Sequence, residues 1–595
     1  MKSIRLLVLL SVVTLGSFAT AACGEDDPVA VVAAPGAPTG VAVSVNATTM
    51  TLTWTASATA TSYRAVLTSP GETDRTVTAS TTTAEFTSLT PGSTYAAQVF
   101  AINSAGEAGS SVAAGKIAEA EATFIEIAGD ILVNTTWTSD KIYVLKQPTF
   151  VGVDCGRDGA KAGCIQATLT IQPGTTILGK TSLSQGVRGA YLVVSRGSKL
   201  MADATGSNRR PTAQEVIVFT SDKPKGQRDR GDWGGLIING RASTNAGTEA
   251  QGEGDSGFYG GTDDMDNSGI IRGVRIEYAG DRVTPSDELN GIALQAVGSG
   301  TTLSYIQIHY NVDDGVEPFG GTASIDHLVV TGIGDDSVDG TDGYRGFIQF
   351  VIGQQRGDEA DNGMELSNDG ADANASPRST AVVANATMIG ADEDLQAGEI
   401  RGPNGDRGIQ FREGSHYRVY NSIFRDFGDA GFCIENAGTV VAANNRINGA
   451  TDPQTTLSFE GNVIWNNSTA DAGDGNFAGC SGYTTAENKT FFTKAGYNNM
   501  VADPGLRAGY SNIGSQSSPP DIIATATPAG FKAFNLGSIA TDGTNLFAPT
   551  DGRTLTVTDY PGAVAPGTAL ADAWYFGWTI WSVDGSDSRA NHEGN

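Results

Sequence analysis

LSYIQIHYNVDDGVEPFGG, residues 303–321, is followed at an offset of 22 residues by IDHLVVTGIGDDSVDGTDG, residues 325–343. In this alignment Asp313 falls on Asp335, Asp314 on Asp336, Val316 on Val338 and Glu317 on Asp339. The same corner, a small residue followed by an apolar one, recurs as NGIAL from 290, DNGMEL from 361, RGIQF from 407 and AGFCI from 430. Short β runs joined by Asn, Asp and Gly turns at such a period are the signature of a solenoid whose turns cover one another. No L-x-x-L-x-L register supports leucine-rich repeats, and propeller blades would be longer. A right-handed parallel β-helix fits best. Its rungs stack about 4.8 Å apart, the strand-pairing distance. Val316, Val338, Met364, Ile409 and Phe432 are then expected to form one inward apolar column.

Strand side chains alternate faces, so an inward Val316 turns Glu317 outward, with Asp339 and Glu365 above it. Stacked carboxylates raise one another's pKa or recruit a cation. Asp313, Asp314, Asp335, Asp336 and Asp361 crowd the adjoining turn. With Glu317, Asp339 and Glu365 they make eight hard oxygen ligands of the kind Ca²⁺ takes. Asp in a turn also bonds backbone amides and tolerates left-handed conformations, which explains single aspartates without a ligand. Turn chemistry gives no reason for Glu317, Asp339 and Glu365. Tyr305, Tyr310, Phe319, Tyr344 and Phe347 flank the acids; they are available either to stack on sugar rings or to fill the interior. Glu317, Asp339, Glu365 and Tyr344 are the expected binding residues.

The rest of the chain narrows the partners. Of 595 residues, 38 are Lys or Arg and 66 Asp or Glu, a net charge of −28 that repels nucleic acid and anionic lipid. The 77 glycines, with abundant Asn, Asp, Ser and Thr, favour an all-β chain. Lys2 and Arg5, the run LLVLLSVVTL and the small residues before Cys23 read as an export signal over residues 1–22. Cys23 resembles a bacterial lipobox cysteine, although Thr20 stands where Leu is usual; Gly24 implies the outer membrane or cell surface. The alternative is ordinary cleavage and secretion. Residues 23–35 read as a linker. Besides Cys23 the chain has Cys155, Cys164, Cys433 and Cys480, enough for two disulfides in an oxidising compartment. The four histidines and the absence of CxxC spacing argue against zinc or haem. Arg-Gly-Asp occurs at 230–232 and 356–358, which in a chain so rich in Gly and Asp is weak evidence of adhesion.

Residues 36–118 alternate in short strands. Trp54, Tyr63, Leu89, Pro91, Gly92, Tyr95, Val99, Asn103 and Gly106 stand where a fibronectin type III domain carries them, and the resemblance implies a β-sandwich spacer. From 119 to 595 the blocks ILVNTTWTSDKIYVL, VIVFTSDKP and GDWGGLIINGRA, with DYPGAVAPG near the end, resemble secreted bacterial β-helix proteins marked by the W-G-G-L-I-I-N-G rung, here Trp233 to Gly240. The resemblance implies fold and export but no activity. In that frame Cys155–Cys164 closes a small early loop and Cys433–Cys480 staples late rungs. Trp574, Trp578 and Trp581 would cap the last rung.

The expected function is a lipid-anchored surface protein, touching membrane through its anchor only, that binds a glycan or cell-envelope component on its β-helix face, with Ca²⁺ as the one candidate cofactor. An alternative is a polysaccharide lyase or inverting glycoside hydrolase, with Asp335, Asp336 and Asp314 as candidate catalytic carboxylates; the Gly-His-Gly and Arg-x-Lys blocks of such hydrolases are missing. A purely structural surface protein is the third reading.

Overall fold

The computed structural model describes residues 32–46, 48–69, 73–90, 93–116, 123–181, 189–284, 287–356, 359–390, 407–467, 476–507, 520–539 and 546–582. The export signal and Cys23 lie outside the described residues. The chain divides into two compact units between residues 120 and 121.

The first unit is a β-sandwich. Thr39–Asn46, Thr49–Thr55 and Thr83–Phe86 form one antiparallel sheet. Arg75–Ala79, Ser62–Thr68 and Thr94–Asn103 form the other, with Gly106–Gly109 and Ala113–Lys116 pairing to the last of these. Alternation sends Met50, Leu52 and Trp54 inward against Tyr63, Tyr95 and Val99. Trp54 meets Tyr63 edge-on at 5.2 Å. The Tyr95 hydroxyl accepts the Thr90 amide at 3.1 Å, tying the corner as the resemblance implies.

The second unit is a parallel β-helix. Nine short strands stack in one sheet: Thr149–Val151, Leu192–Val194, Leu236–Asn239, Ile292–Gln295, Val316–Phe319, Val338–Gly340, Met364–Leu366, Gln410–Phe411 and Cys433–Ile434. Val316 pairs with Val338 and Val338 with Met364. These three, with Ile409 and Phe432, are fully buried in one core, the expected column. The residues between short strands wind through a second, seventeen-stranded sheet. Its long strands Thr302–His309, Ser324–Thr331, Phe347–Gln354 and Val382–Ile389 pair in parallel register.

Each long strand bends sharply at one left-handed residue, and these residues align: Gly273 (φ 69°), Tyr305 (52°), His327 (56°), Phe350 (59°) and Asn385 (52°). Gly and Asn take this conformation cheaply, whereas other residues pay roughly 1–2 kcal/mol each. Ring stacking offsets that cost: Tyr305 lies 4.3 Å from His327, nearly parallel, and His327 4.9 Å from Phe350. Gly353 has another reason. A Cβ there would stand 2.1 Å from Met388 Cε of the next rung.

The structure differs from the sequence reading at the C-terminal end. The last rungs are closed by two short helices, Ala437–Ile447 and Thr485–Phe492, whose Phe491 and Phe492 pack on Phe432 and Phe459. Trp581 and Tyr575 instead pack on Val329, Ile352 and Ile389, on the outer face of middle rungs, and Trp578 packs on Val216, Val218 and Tyr305. The segment carrying them is a strap, held by side-chain amides that imitate a strand edge. Gln307 accepts the Ile580 N–H at 2.9 Å and donates to its carbonyl at 2.7 Å. Gln349 does the same for Thr556 (2.8 and 2.8 Å), and Asn421 for Phe534 (2.7 and 3.0 Å). An outer face rich in apolar residues needs such cover. Both disulfides, Cys155–Cys164 and Cys433–Cys480, are formed.

Candidate functional site

The acidic corner is built by the turn that enters each short strand. Asn311 donates to the Asp314 carbonyl at 2.8 Å, Asp314 Oδ1 accepts the Asp336 amide of the next rung at 3.0 Å, and Asp336 Oδ1 accepts the Asn362 amide at 2.5 Å. Asp314 and Asp336 are therefore corner residues, each spending one oxygen on the rung above. Backbone pairing of Gly291 with Asp314, Gly315 with Asp336 and Ser337 with Asn362 sets Asn290, Asp314, Asp336 and Asn362 in one column.

The neighbouring outward column runs along the nine-stranded sheet. Phe150, Val193, Ile237, Ala293 and Glu317 are successive cross-strand partners, and Asp339, Glu365, Gln410 and Cys433 continue the file. Its first rungs are apolar and pack with Tyr191 and Leu289. It turns acidic at Glu317, as the alternation requires.

These two columns, with Asp313, Asp335 and Asp361 on the turns beside them, bring the eight expected ligands into four overlapping groups of three. Asp313, Asp314 and Asp335 have carboxylate oxygens within 4.8 Å of one another; so do Asp314, Glu317 and Asp339; Asp335, Asp336 and Asp361; and Asp336, Asp339 and Glu365. Among the described residues no Lys or Arg forms an ion pair with any of these acids except Glu365, which Arg412 holds at 2.5 Å while also bonding Glu413. Burial and then repulsion push the carboxyls up; on Asp313 the repulsion comes from Glu288. Asp313 and Asp335 rise to about 7, and Asp314, Glu317, Asp336 and Asp339 stand well above the usual range. Burial also raises Glu365 against the pull of Arg412.

Several groups around the corner gave no signal in the repeat. Asn290 donates to Glu317 at 2.6 Å and to Glu253 at 3.3 Å. Glu253 belongs to a long insertion between two rungs, and the same insertion brings Tyr259, whose hydroxyl donates to Asp342 at 3.1 Å. Burial lifts Asp342 to about 6 despite that bond. Only Asn290, one rung before Asp314, was recoverable from the sequence, because it opens the recurring corner NGIAL 24 residues earlier.

One expected binding residue is misplaced. Tyr344 is 1 % exposed and spends its hydroxyl on the Ala323 carbonyl at 2.8 Å, so its ring fills the core and cannot stack on a sugar. Phe347 is buried too, whereas Phe319 is half-buried. The first Arg-Gly-Asp is structural: Arg230 donates to the Gly332 carbonyl and lies over the Tyr310 ring, and Asp232 is buried on Ser221. The second falls partly outside the described residues. Among the described residues no helix is long and apolar enough to cross a membrane.

Comparison with known proteins agrees with both units. Residues 36–114 match the fibronectin type III domain, and residues 129–503 match the pectate-lyase-like β-helix domain. No curated protein matches the chain. Among solved structures, the FN5 domain of Drosophila Lar is 22% identical, with 14% of this chain and 99% of that chain covered and a TM-score of 0.14. A family 28 exopolygalacturonase from Yersinia enterocolitica is 9% identical over 72% of this chain and 92% of that one, with a TM-score of 0.18. A pectate lyase from Pectobacterium carotovorum is 11% identical over 74% and 88%, with a TM-score of 0.11. With a fibronectin type III domain ahead of it and the matched region covering more than half of its length, the chain belongs to the family of pectate-lyase-like β-helix proteins.

Proposed function

We propose that this protein is exported, anchored through lipid on Cys23, and binds a polysaccharide along the outer face of its nine-stranded sheet. The observation that supports this reading is the change in the outward column from covered apolar residues to the file Glu317, Asp339 and Glu365, which ends at Arg412. Carboxylates accept hydrogen bonds from sugar hydroxyls, and a guanidinium donates them in a fixed fork. At a net charge of −28 the face repels polyanions, so the ligand is a neutral glycan or an acidic one bridged by cations. The test is retention of neutral and uronate-rich polysaccharides, with and without EDTA, alongside assay of the bound glycan for new reducing ends and unsaturated products. Retention without product, reduced by the triple change Glu317→Gln, Asp339→Asn, Glu365→Gln, is the expected result. Failure to retain any glycan under either condition sinks the reading.

A second reading is glycan cleavage by Asp314, Asp335 and Asp336. Oxygens of Asp314 and Asp335, and of Asp335 and Asp336, lie within 4.8 Å. An inverting hydrolase seats a water between carboxyls roughly 6.5–9.5 Å apart, whereas a retaining one holds them about 5 Å apart. The anomeric configuration of the released sugar distinguishes the two. Product release abolished by Asp335→Asn or Asp336→Asn would replace binding with catalysis.

A further inference from the structure

The four carboxylate triads form a two-by-two array generated by the rung repeat. Shifting Asp313, Asp314 and Asp335 up one rung gives Asp335, Asp336 and Asp361; shifting Asp314, Glu317 and Asp339 gives Asp336, Asp339 and Glu365. Adjacent triads share one carboxylate, while diagonal triads share none. Two further observations point to a ligand. At the ends of the Asp314–Asp336 column stand Asn290 and Asn362, each 1 % exposed, and the Oδ1 of each is buried with no donor. Asp339 Oδ1, inside the array, is likewise buried with no donor. A buried acceptor without a donor costs about 1–3 kcal/mol, a cost that a bound cation removes.

The donor set selects the ion. It is all oxygen, with neither His nor Cys, which excludes the preferences of zinc and copper. Calcium binds oxygens at about 2.3–2.6 Å, so oxygens around it stand up to about 5 Å apart; magnesium at about 2.0–2.1 Å demands a tighter, octahedral set. Three carboxylates whose oxygens lie within 4.8 Å of one another can all reach one such ion.

We propose that the acidic corner binds two Ca²⁺ ions per chain, one on Asp314, Glu317 and Asp339 and one on Asp335, Asp336 and Asp361. Both diagonals avoid sharing a carboxylate. The other diagonal would claim Glu365, which already holds Arg412. This diagonal leaves that pair intact, and Asn290 and Asn362 stand beside its two members in the column. Four ions would force every neighbouring pair to share a carboxylate about one rung, 4.8 Å, apart.

The inference concerns the same corner as the proposed glycan site, but its test needs no glycan. Decalcified full-length protein is titrated with CaCl₂ by calorimetry, and bound calcium is counted by native mass spectrometry after desalting. Two ions per chain are expected, with MgCl₂ binding at least tenfold more weakly. Asp361→Asn should keep one ion and Glu317→Gln should keep the other, while the double variant keeps none; matching circular dichroism spectra establish that the variants fold. No calcium bound, a stoichiometry of one or four, or loss of both ions in either single variant overturns the proposal. Calcium binding with no glycan retention would leave this inference standing and remove the glycan reading alone.

Discussion

Asp339 and Glu365 are direct partners on adjacent parallel strands and point to the same outer face, yet only Glu365 has a cation, Arg412, in contact. Like charges placed opposite each other across strands oppose the pairing that holds them together. Asp339→Asn is therefore expected to stabilise the calcium-free protein, by about 1 kcal/mol, in urea unfolding with EDTA present. A destabilised variant would mean that Asp339 serves the fold itself and is no uncompensated charge.

The pH dependence has a definite sign. Burial, with repulsion from Glu288 on Asp313 and from Asp313 and Asp361 on Asp335, holds both at about 7, against an ordinary value of 3.8. A carboxyl with a raised folded-state pKa binds protons more tightly in the folded chain, so its stabilising effect is full below about pH 4 and is lost as pH rises through about 7. Other acids act in reverse. Burial raises Asp154, but Arg196 and Lys161 outweigh it and hold the carboxyl at about 2; Arg209 brings Glu215 to about 2. These two lose their contribution only as pH falls below about 4. In EDTA the melting temperature should peak between about pH 4 and 6 and fall toward pH 8, and excess CaCl₂ should shrink the alkaline fall to the part that Asp313 contributes. A profile in EDTA that is flat from pH 5 to 8 would contradict the crowding of the corner.

How much of this was legible depends on what repeats. The 22-residue offset was visible because each rung uses the same turn and the same inward apolar position, so Val316, Val338 and Met364 and the outward file beside them followed from alternation alone. Tyr344 was misread because its flank position says nothing about rotation about the chain; the ring turns inward and its hydroxyl finds the Ala323 carbonyl. Trp574, Trp578 and Trp581 were misread because a terminal aromatic cluster suits any uncovered apolar surface. The surface they found was the outer face of the long strands, whose Val329, Ile352 and Ile389 do not announce in sequence that they face outward. Glu253 and Tyr259 come from an insertion, which no repeat encodes.

The two disulfides should contribute unequally. In the loop-entropy description the bond across 47 residues, Cys433–Cys480, restricts the unfolded chain by about 4 kcal/mol, whereas that across 9, Cys155–Cys164, does so by about 2.5 kcal/mol. The longer bond also ties the last short strand to the loop before Thr485–Phe492, so its loss should loosen the end cap first. Replacing Cys433 and Cys480 with Ser is expected to lower stability more than the same change at Cys155 and Cys164, with faster amide exchange across residues 476–507. The reverse ranking would mean that the small early loop organises the first rungs.

The strap offers a comparison within one architecture, because two glutamines make the same pair of hydrogen bonds in different surroundings. Gln349 holds Thr556, which is exposed, so in Gln349→Leu water can take over both backbone groups, and the loss should be about 1 kcal/mol. Gln307 holds Ile580, which is fully buried, so in Gln307→Leu the Ile580 N–H and carbonyl lose their partners out of reach of water. Each such group costs about 1–3 kcal/mol, which makes the second change the costlier by at least about 1 kcal/mol. The penalty should appear first as detachment of the strap, with amide exchange accelerating from residue 578 to 582 while Val329 and Ile352 stay protected in their strands. Equal costs at the two positions would show that Trp581 and Tyr575, packed on Val329, Ile352 and Ile389, hold the strap by apolar burial alone and that the paired amides only set its register.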